Sequence, residues 1–313
     1  MSCKKIVGVR AADGWWTFFA LTRFPVKQPV AQGRRVFRGG GAMFQHTRSF
    51  VRRMGAVPPI QKMLDGWYAR DFAQAIHVNW FRGVYPDFAS ARDAAPTNKP
   101  LGYNNPEPAS AEMYRFRMQA IAPCDYPVAF WLSRLMLPGQ SLLDFGGHSG
   151  VLFYALNKYL TFPEGFSWQV YDLPVVLEEA RRFAEVNNAP KTLSFCDDYK
   201  NAGPWDYVLF SGSLQYLEES LSAIILKMKA PPDRLLINML PVHPEQSYYT
   251  LQNISTAFCP YRIYSANELM NEIDGLNGTV IDEWRNTDKR CEIPYHPSQS
   301  LGFYRGLLVD LVP

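Results

Sequence analysis

Apolar residues recur at intervals of three and four between residues 44 and 80, which is the spacing of an amphipathic helix. The positions that carry this pattern are Met54, Val57, Ile60, Leu64 and Trp67. Pro58 and Pro59 fall inside the stretch, and proline is tolerated in a helix only in its first turn. The sequence therefore predicts two helices here, divided at the proline pair.

A polar, proline-rich stretch follows from residue 84 to residue 112. Its prolines are Pro86, Pro96, Pro100, Pro106 and Pro108. Such a composition predicts a long irregular connection, and long connections in compact domains often serve a function. Helical spacing returns over residues 110–137 and stops at Pro138 and Gly139. We therefore predict a helical N-terminal cap over residues 43–137 that carries a proline-rich loop.

Beyond residue 138, short apolar runs alternate with longer amphipathic stretches. The predicted strands are residues 141–145, 168–172, 193–196, 205–210 and 234–240. The predicted helices between them are residues 151–160, 175–187 and 217–229. Strands that alternate with helices of this length are typical of a parallel sheet covered by helices on both faces.

The last part of the chain predicts one more helix and two strands. Ser265-Ala266-Asn267-Glu268 matches the capping box that opens a helix. The strands, residues 279–284 and 302–311, have only a loop between them and are predicted to pair antiparallel. Residues 138–313 are therefore expected to form one α/β domain, a Rossmann-like doubly wound sheet with an antiparallel last strand.

The amino-acid composition argues against several classes of protein. With 47% hydrophobic and 19% charged residues, the chain can bury a sizeable core. No apolar run approaches the roughly 20 residues of a membrane span. The five cysteines form no CxxC pair, and the five histidines show no zinc-binding spacing such as HExxH. We expect a cytoplasmic protein with reduced thiols, no membrane span and no protein-built metal site.

Charge is distributed unevenly along the chain. Residues 1–55 contain eleven Lys and Arg and one acidic residue, whereas residues 56–313 contain 21 basic and 28 acidic residues. A basic segment can bind nucleic acid or an anionic membrane. The alternative is an unstructured start, or one that does not belong to the natural chain, because helical patterning begins only after Met43. We favour this alternative and expect residues 1–42 to be a disordered tail without a nucleic-acid partner.

The strongest candidate site lies between the first strand of the predicted sheet and the helix that follows. Asp144 precedes a turn that contains Gly146, Gly147, His148 and Gly150. Glycines in such a turn let the backbone approach a ligand closely. An acid in front of the glycines would repel a pyrophosphate and favours a ligand with a cationic end. The alternative is a plain strand-to-helix turn.

Further acidic residues end the next two strands. Asp172 ends the second strand, 28 residues after Asp144. A carboxylate at this position can accept hydrogen bonds from both hydroxyls of a ribose. The alternative is a cap for the helix that begins at Leu173-Pro174. Asp197 and Asp198 end the third strand, where one of them could accept from an adenine amino group. The alternative there is a solvated loop acid.

Together these motifs resemble class I S-adenosylmethionine-dependent methyltransferases. The run from Asp144 to Gly150 is similar to their Asp-x-Gly-x-Gly-x-Gly loop, with His148 in place of the middle glycine. Asp172-Leu173-Pro174 resembles the ribose-binding turn of small-molecule O-methyltransferases. The resemblance implies a Rossmann-like methyltransferase fold and S-adenosyl-L-methionine as cofactor.

Residues 44–313 also resemble a family of methyltransferase-like proteins often encoded among polysaccharide-biosynthesis genes. The stretches that carry this likeness are Phe81-Arg82-Gly83-Val84-Tyr85, Asp125-Tyr126-Pro127, Ser211-Gly212-Ser213-Leu214-Gln215-Tyr216-Leu217 and Leu251-Gln252-Asn253-Ile254. The third stretch implies that Ser211 and Gln215 contribute to the cofactor site. The likeness also implies a role in polysaccharide biosynthesis.

The expected catalytic residues depart from the O-methyltransferases that use a histidine base. Those enzymes carry the base just after the fourth strand, where this sequence has Leu214, Gln215 and Tyr216. His243, after the fifth strand, is therefore the predicted base, and Tyr216 is the second predicted catalytic residue. The expected activity is methyl transfer to a hydroxyl or amine of a small-molecule or sugar-type acceptor. The alternatives are non-methyl-transfer chemistry on the same cofactor and non-catalytic cofactor binding.

A set of amide and aromatic side chains is predicted to line the acceptor site. Its members are Tyr85, Tyr103, Asn104, Asn105, His243, Gln246, Tyr248, Tyr249, Gln252 and Asn253. They come from the proline-rich loop and from the region after the fifth strand. Because this set is poor in Lys and Arg, it favours an uncharged, hydroxyl-rich acceptor over a phosphate or a nucleic-acid backbone.

We predict that removing residues 1–42 leaves the melting temperature nearly unchanged, because the segment lacks helical patterning and ends in Gly39-Gly40-Gly41. Differential scanning calorimetry on the full chain and on a chain starting at Met43 measures this directly. A fall of more than a few degrees would show that the segment packs on the rest of the protein.

Overall fold

The structure is a computed structural model that describes residues 58–76, 80–102 and 115–311. The predicted tail, the helix before Pro58 and the acceptor-site residues Tyr103, Asn104 and Asn105 lie outside these ranges, so those predictions stay open. Within the described residues, no helix has the length and apolar character needed to cross a bilayer.

A seven-stranded sheet forms the centre of the protein. Its strands are β2 (Ser141–Phe145), β3 (Ser167–Tyr171), β4 (Leu193–Cys196), β5 (Tyr207–Ser211), β6 (Arg234–Leu240), β10 (Thr279–Asn286) and β11 (Tyr304–Asp310). The spatial order is β10-β11-β6-β5-β2-β3-β4. Strands β4, β3, β2, β5 and β6 are parallel, whereas β11 runs antiparallel to both β6 and β10. The prediction of a doubly wound, Rossmann-like sheet with an antiparallel last strand is confirmed.

Helices cover both faces of this sheet. They are α3 (Tyr126–Leu135), α4 (Val151–Leu156), α5 (Pro174–Val186), α6 (Leu221–Leu226) and α7 (Ala266–Gly275). Leu142 and Leu143 point to opposite faces, and neither is exposed to solvent. One face packs against α3, α4 and α5, the other against α6 and α7. Because both faces are buried, the central strands appear in sequence as continuous apolar runs rather than alternating patterns.

The N-terminal part departs from the predicted helical cap. It contains α1 (Pro58–Gln74), strand β1 (Trp80–Tyr85) and helix α2 (Phe88–Asp93). Pro58 does begin a helix, as predicted. The prediction of irregular chain from residue 84 onward was wrong over β1 and α2, because Asp87 accepts a hydrogen bond from the Ser90 amide at 2.7 Å and starts the helix.

Two predicted helices are shorter than expected. Residues 115–119 and 123–125 form single 3₁₀ turns ahead of α3, where a longer helix was predicted. Of the helix predicted over residues 217–229, only α6 (Leu221–Leu226) forms, and a 3₁₀ turn at residues 214–216 precedes it. At α7 the predicted cap is present, since the Ser265 hydroxyl accepts from the Glu268 amide at 3.0 Å.

A second sheet of four strands was not predicted. Strands β7 (Val242–His243), β8 (Tyr248–Asn253) and β9 (Phe258–Ser265) join β1 in the order β1-β8-β9-β7. The sheet links the N-terminal segment to the chain that leaves the C-terminal end of β6. Strand β9 packs against the 3₁₀ turn after β5, where the Tyr216 and Tyr261 rings lie 5.1 Å apart. The second sheet therefore adjoins the edge where parallel-sheet proteins bind ligands.

We predict that Gly306→Ala destabilises the fold by about 1–3 kcal/mol, the usual cost of overpacking. A Cβ at Gly306 in β11 would overlap the Trp284 indole of β10. Gly302→Ala is the matched control, because nothing lies within 4 Å of a Cβ there. Urea denaturation of both variants measures the difference, and equal stability of the two would contradict this packing.

Candidate functional site

The glycine turn after β2 adopts backbone conformations that favour glycine. Gly146 and Gly150 have φ angles of 74° and 80°, and the Gly146 amide donates to the Tyr171 carbonyl at 2.7 Å. A Cβ at Gly146 would overlap the Ser213 side chain, whose hydroxyl donates to the Phe145 carbonyl at 2.5 Å. The turn is thereby held between the ends of β3 and β5.

His148 takes the place of the middle glycine and adopts a left-handed conformation, with φ at 56°. A left-handed backbone costs a non-glycine residue roughly 1–2 kcal/mol. The His148 amide donates to the Asp172 carboxylate at 2.8 Å, and its Nδ1 lies 3.1 Å from the Ser149 hydroxyl. These contacts hold the residue in its strained conformation.

Asp144 lies beneath the turn and is almost completely buried, with 1% of its surface exposed. The Trp168 indole donates to its carboxylate at 3.2 Å, and a Cβ at Gly147 would overlap the same carboxylate. The pKa of Asp144 is raised to about 7, mainly by burial. The hydrogen bond from the indole lowers it in part, and the nearby charges of Asp172 and Asp125 raise it. Among the described residues no Lys, Arg or His forms an ion pair with Asp144. A buried acid of this kind favours a ligand that brings its own positive charge.

Asp172 connects the glycine turn to α5. Its carboxylate accepts from the His148 amide and, at 2.7 Å, from the Leu173 amide. Burial raises the pKa of Asp172, although the His148 ring and the two amides oppose this shift. The helix begins at Pro174 and no side chain of the described residues caps it, because the Asp172 carboxylate reaches only the amide of Leu173, the residue in front of the helix. The capping alternative is therefore not borne out. A carboxylate has about four acceptor positions, so the ribose role stays compatible with this geometry.

Asp197 and Asp198 lie at the end of β4 with exposed side chains. Asp197 pairs with the Arg181 guanidinium through both oxygens, at 2.7 and 2.6 Å. Asp198 accepts from the Lys200 amide and from the Asn201 side chain, and the Asn201 bond is the main reason that its pKa is lowered. Both carboxylates are bonded locally, which favours the solvated-loop alternative over an adenine contact.

The residues after β5 lie at the same edge as the glycine turn. Gln215 is buried, and its Oε1 has no hydrogen-bond partner among the residues that the structure describes. An unpaired buried acceptor costs about 1–3 kcal/mol, so a donor from a ligand would relieve it. Tyr216 is half-buried and donates to Gln252 at 2.9 Å. Ser211 accepts from Asn238 at 3.3 Å.

His243 is not placed to act as a base, and this prediction was wrong. Its Nδ1 accepts from the Glu245 and Gln246 amides at 3.1 and 3.2 Å. Its Nε2 must then carry the proton and donate to the Ser298 carbonyl, 2.8 Å away. Both ring nitrogens are therefore used to fix the turn after β7, and the ring is buried.

Much of the predicted acceptor lining is also part of the protein interior. Tyr248 is buried and donates to the Gln299 carbonyl, and Gln252 is bonded to Tyr216. Asn253 donates to the Phe72 carbonyl at 2.6 Å and so satisfies a buried backbone group. The hydrogen bonds of these three side chains are made within the protein, which does not favour them as acceptor contacts.

Sequence reasoning missed Asn238, which is 1% exposed near the end of β6. Its amide nitrogen donates to Asp125 at 3.1 Å and to Ser211. Its amide oxygen accepts from the Trp284 indole at 3.1 Å and from Asn286 at 3.0 Å. All four bonding positions are filled, so Asn238 ties the chain ahead of α3 to three strands of the sheet. A single asparagine in an apolar run, Leu235-Leu236-Ile237-Asn238, was the available signal.

No protein-family model matches the sequence. No curated protein matches it either. The resemblance to a family from polysaccharide gene sets therefore stays a prediction.

Several solved structures are similar to the chain. An O-methyltransferase family 2 protein from Planctomyces limnophilus, in complex with apigenin, shares 20% identity at a TM-score of 0.40. That match covers 64% of this chain and only 62% of the other. The glycopeptide N-methyltransferase MtfA, in complex with S-adenosyl-L-methionine, shares 14% identity over 62% of this chain and 96% of its own, at a TM-score of 0.40.

A S-adenosylmethionine-dependent methyltransferase from Clostridium acetobutylicum shares 12% identity over 65% of this chain and 98% of its own, at a TM-score of 0.42. Proteins with identities this low can share a fold without sharing a reaction.

We predict that Asp144→Asn raises stability at pH 8. The folded-state pKa of Asp144, about 7, lies above its ordinary value of 3.8, so the folded state binds more protons between these values. Stability of the wild type therefore falls as pH rises through this window, and the variant lacks that loss. The gain at pH 8 should be on the order of 4 kcal/mol, from about 1.4 kcal/mol for each pH unit between the two pKa values.

Thermal unfolding between pH 5 and pH 8.5 tests this, with Asp274→Asn as control because Asp274 is exposed on α7. The stability difference between the wild type and Asp144→Asn should change with pH, whereas the difference between the wild type and Asp274→Asn should not. A difference from Asp144→Asn that stays constant with pH would contradict the burial of an unpaired carboxyl.

Proposed function

We propose that the protein is an S-adenosyl-L-methionine-dependent methyltransferase that acts on a hydroxyl or amine of a small molecule, sugar-type acceptors included. The observation that carries the proposal is the buried Asp144 carboxyl beneath the glycine turn, which has no cationic partner among the described residues. S-adenosyl-L-methionine brings both an ammonium and a sulfonium. A positive charge of the cofactor placed near Asp144 would stabilise the ionised form of its buried carboxyl group.

The residues around the turn fit this cofactor. Gly147 lets the backbone of the turn lie directly against the Asp144 carboxyl, which a Cβ at that position would overlap. We propose that Asp144 contacts the ammonium end and that Asp172 uses its remaining lone pairs for the ribose, beside Leu173. The other proposed contacts are Gly146, His148, Gly150, Ser211 and Gln215. Asp197 and Asp198 are left out, since both are exposed and bonded within the protein.

The chain contributes orientation rather than a histidine base. The bound cofactor supplies an electrophilic methyl group on its sulfonium. Holding two reactants in an aligned geometry is worth up to about 7–11 kcal/mol of the barrier. Gln215 offers an unsatisfied acceptor, and Tyr216 lies next to it with its hydroxyl held by Gln252. We propose that these two residues orient the acceptor, and that His243 has no part in the reaction.

We also propose a cytoplasmic location, and the state of the cysteines supports it. The described cysteines, Cys124, Cys196, Cys259 and Cys291, are unpaired and buried. Unpaired thiols fit the reducing cytoplasm. A place in polysaccharide biosynthesis is supported only by the sequence resemblance.

Product analysis tests the reaction class. The full chain is incubated with S-adenosyl-L-methionine and pools of small hydroxyl and amine acceptors. S-adenosylhomocysteine in the products supports methyl transfer. Methylthioadenosine instead would indicate chemistry on the aminocarboxypropyl arm, and bound but unconverted cofactor would indicate a binding protein; either result contradicts the proposal.

We predict that Asp172→Asn weakens cofactor binding about ten- to a hundredfold, because a charge-assisted acceptor is worth roughly 1.5–3 kcal/mol. Isothermal titration calorimetry with S-adenosyl-L-methionine measures the change. Asp197→Asn is the matched control and should bind as the wild type does. Equal losses in both variants, or none in Asp172→Asn, would contradict the assignment.

A further inference from the structure

The polar side chains that follow β5 lie directly against the glycine turn. A Cβ at Gly146 would lie 2.5 Å from the Ser213 Cβ, so the two segments are in contact. Gln215 comes two residues later, on the 3₁₀ turn of residues 214–216. Its Nε2 lies 3.6 Å from the position of a Cβ at Gly212, which places the amide group over the C-terminal end of β5. Parallel-sheet proteins bind their ligands at this edge.

Gln215 carries an unpaired acceptor at this edge. The residue is 4% exposed, and its Oε1 makes no hydrogen bond to any residue that the structure describes. An amide oxygen has two lone pairs, and buried polar atoms in proteins normally have at least one hydrogen-bond partner. A ligand group that donates a hydrogen bond would supply the partner.

The two hydroxyl groups of the same segment give their protons to the protein. Ser213 donates to the Phe145 carbonyl at 2.5 Å, and Tyr216 donates to Gln252 Oε1 at 2.9 Å. Because a hydroxyl group has a single proton, neither side chain can donate a further hydrogen bond to a ligand in this arrangement. The buried atom that the segment leaves for a ligand to satisfy is therefore the acceptor oxygen of Gln215.

The chemistry of an amide oxygen separates the two kinds of methyl acceptor. It accepts hydrogen bonds but, unlike a carboxylate or an imidazole, it does not take up a proton at neutral pH. A hydroxyl nucleophile must pass its proton to a base as the methyl group arrives, and an amide cannot serve as that base.

A primary amine in its neutral form reacts without such a base. The nitrogen lone pair forms the bond to the methyl carbon, while the carbon–sulfur bond of the sulfonium breaks and leaves its electron pair on sulfur. An N–H of the amine remains free to donate to the amide oxygen throughout. The methylammonium product then releases a proton to water.

We infer that the methyl acceptor is a primary amine, and that Gln215 is the residue that determines this specificity by accepting a hydrogen bond from the amine. The inference rests on the proposed function, because it requires that a methyl group is what the cofactor donates. It narrows the hydroxyl or amine acceptor proposed above to the amine. An amino sugar is one small molecule of this class.

Two matched sets of probes test the inference on the full chain. The amines are glucosamine, galactosamine and ethanolamine, and their hydroxyl counterparts are glucose, galactose and ethylene glycol. Calorimetry measures the binding of each probe to protein saturated with S-adenosylhomocysteine, from which no methyl group can be transferred. Turnover is measured at saturating S-adenosyl-L-methionine, and mass spectrometry shows whether nitrogen or oxygen carries the methyl group.

Three variants are compared with the wild type. Gln215→Leu removes the acceptor oxygen, whereas Gln215→Glu keeps an acceptor oxygen on a side chain of the same length. Gln74→Leu is the matched control, because Gln74 is exposed at the end of α1. The thermal midpoint of Gln215→Leu should not fall below that of the wild type, because the variant lacks a buried unpaired acceptor.

We expect the wild type and Gln74→Leu to bind the amines about tenfold more tightly than their hydroxyl counterparts, since an ammonium donates a charge-assisted hydrogen bond. Both proteins should methylate the amines on nitrogen. Gln215→Leu should lose the preference for amines, and Gln215→Glu should keep it. Saturation with cofactor or product removes any effect of the substitutions on cofactor affinity from these comparisons.

Four results would overturn the inference: a methyl group on oxygen, no N-methylated product from the amines, equal affinity for amines and hydroxyl counterparts, or a preference that persists in Gln215→Leu. Failure of the proposed function gives a different result. The wild type would then not bind S-adenosyl-L-methionine, or would convert it to methylthioadenosine, whichever probe is present.

Discussion

The arrangement of this protein depends on the cost of burying the Asp144 carboxyl group. The side chain is enclosed by the Trp168 indole below and by a backbone turn above that only glycine permits. No cation of the described residues balances it, so its pKa rises to about 7. A structure that retains such a group loses stability at neutral pH. The loss is recovered when a cationic ligand binds, which is how a site can trade stability for affinity.

The glycine turn is held in place by its neighbours rather than by its own sequence. Asp172 binds the His148 amide, the Tyr171 carbonyl binds the Gly146 amide, and Ser213 closes the turn from the side of β5. His148 adopts a strained backbone because these contacts over-determine it. Asn238 donates a hydrogen bond to Asp125 and thereby also fixes the chain ahead of α3. The proposed cofactor site is therefore built on one connected network of hydrogen bonds.

The sequence predicted the central sheet well because its strands are buried on both faces. Ser141–Phe145, Leu193–Cys196 and Arg234–Leu240 have the predicted bounds, since each is a short apolar run between turn residues. The second sheet was missed because its strands mix aromatic and polar residues, and because β1 pairs with β8, more than 160 residues away. Pairings at that distance leave no local pattern.

The sequence predicted those parts of the candidate site whose residues are close together along the chain. The glycine turn, Asp144 and Asp172 form short motifs that a sequence displays directly. Whether His243 is a base depends on hydrogen bonds to Glu245, Gln246 and Ser298, which no spacing reveals.

The most direct test of the account is the proton balance of cofactor binding. Titration of S-adenosyl-L-methionine at pH 6.5, in two buffers of different ionisation enthalpy, counts the protons released. At this pH the Asp144 carboxyl is largely protonated when no ligand is bound, and a cation beside it would drive the proton off. The account predicts net proton release that is absent in Asp144→Asn. Tight binding without proton release, or release that persists in the variant, would contradict it.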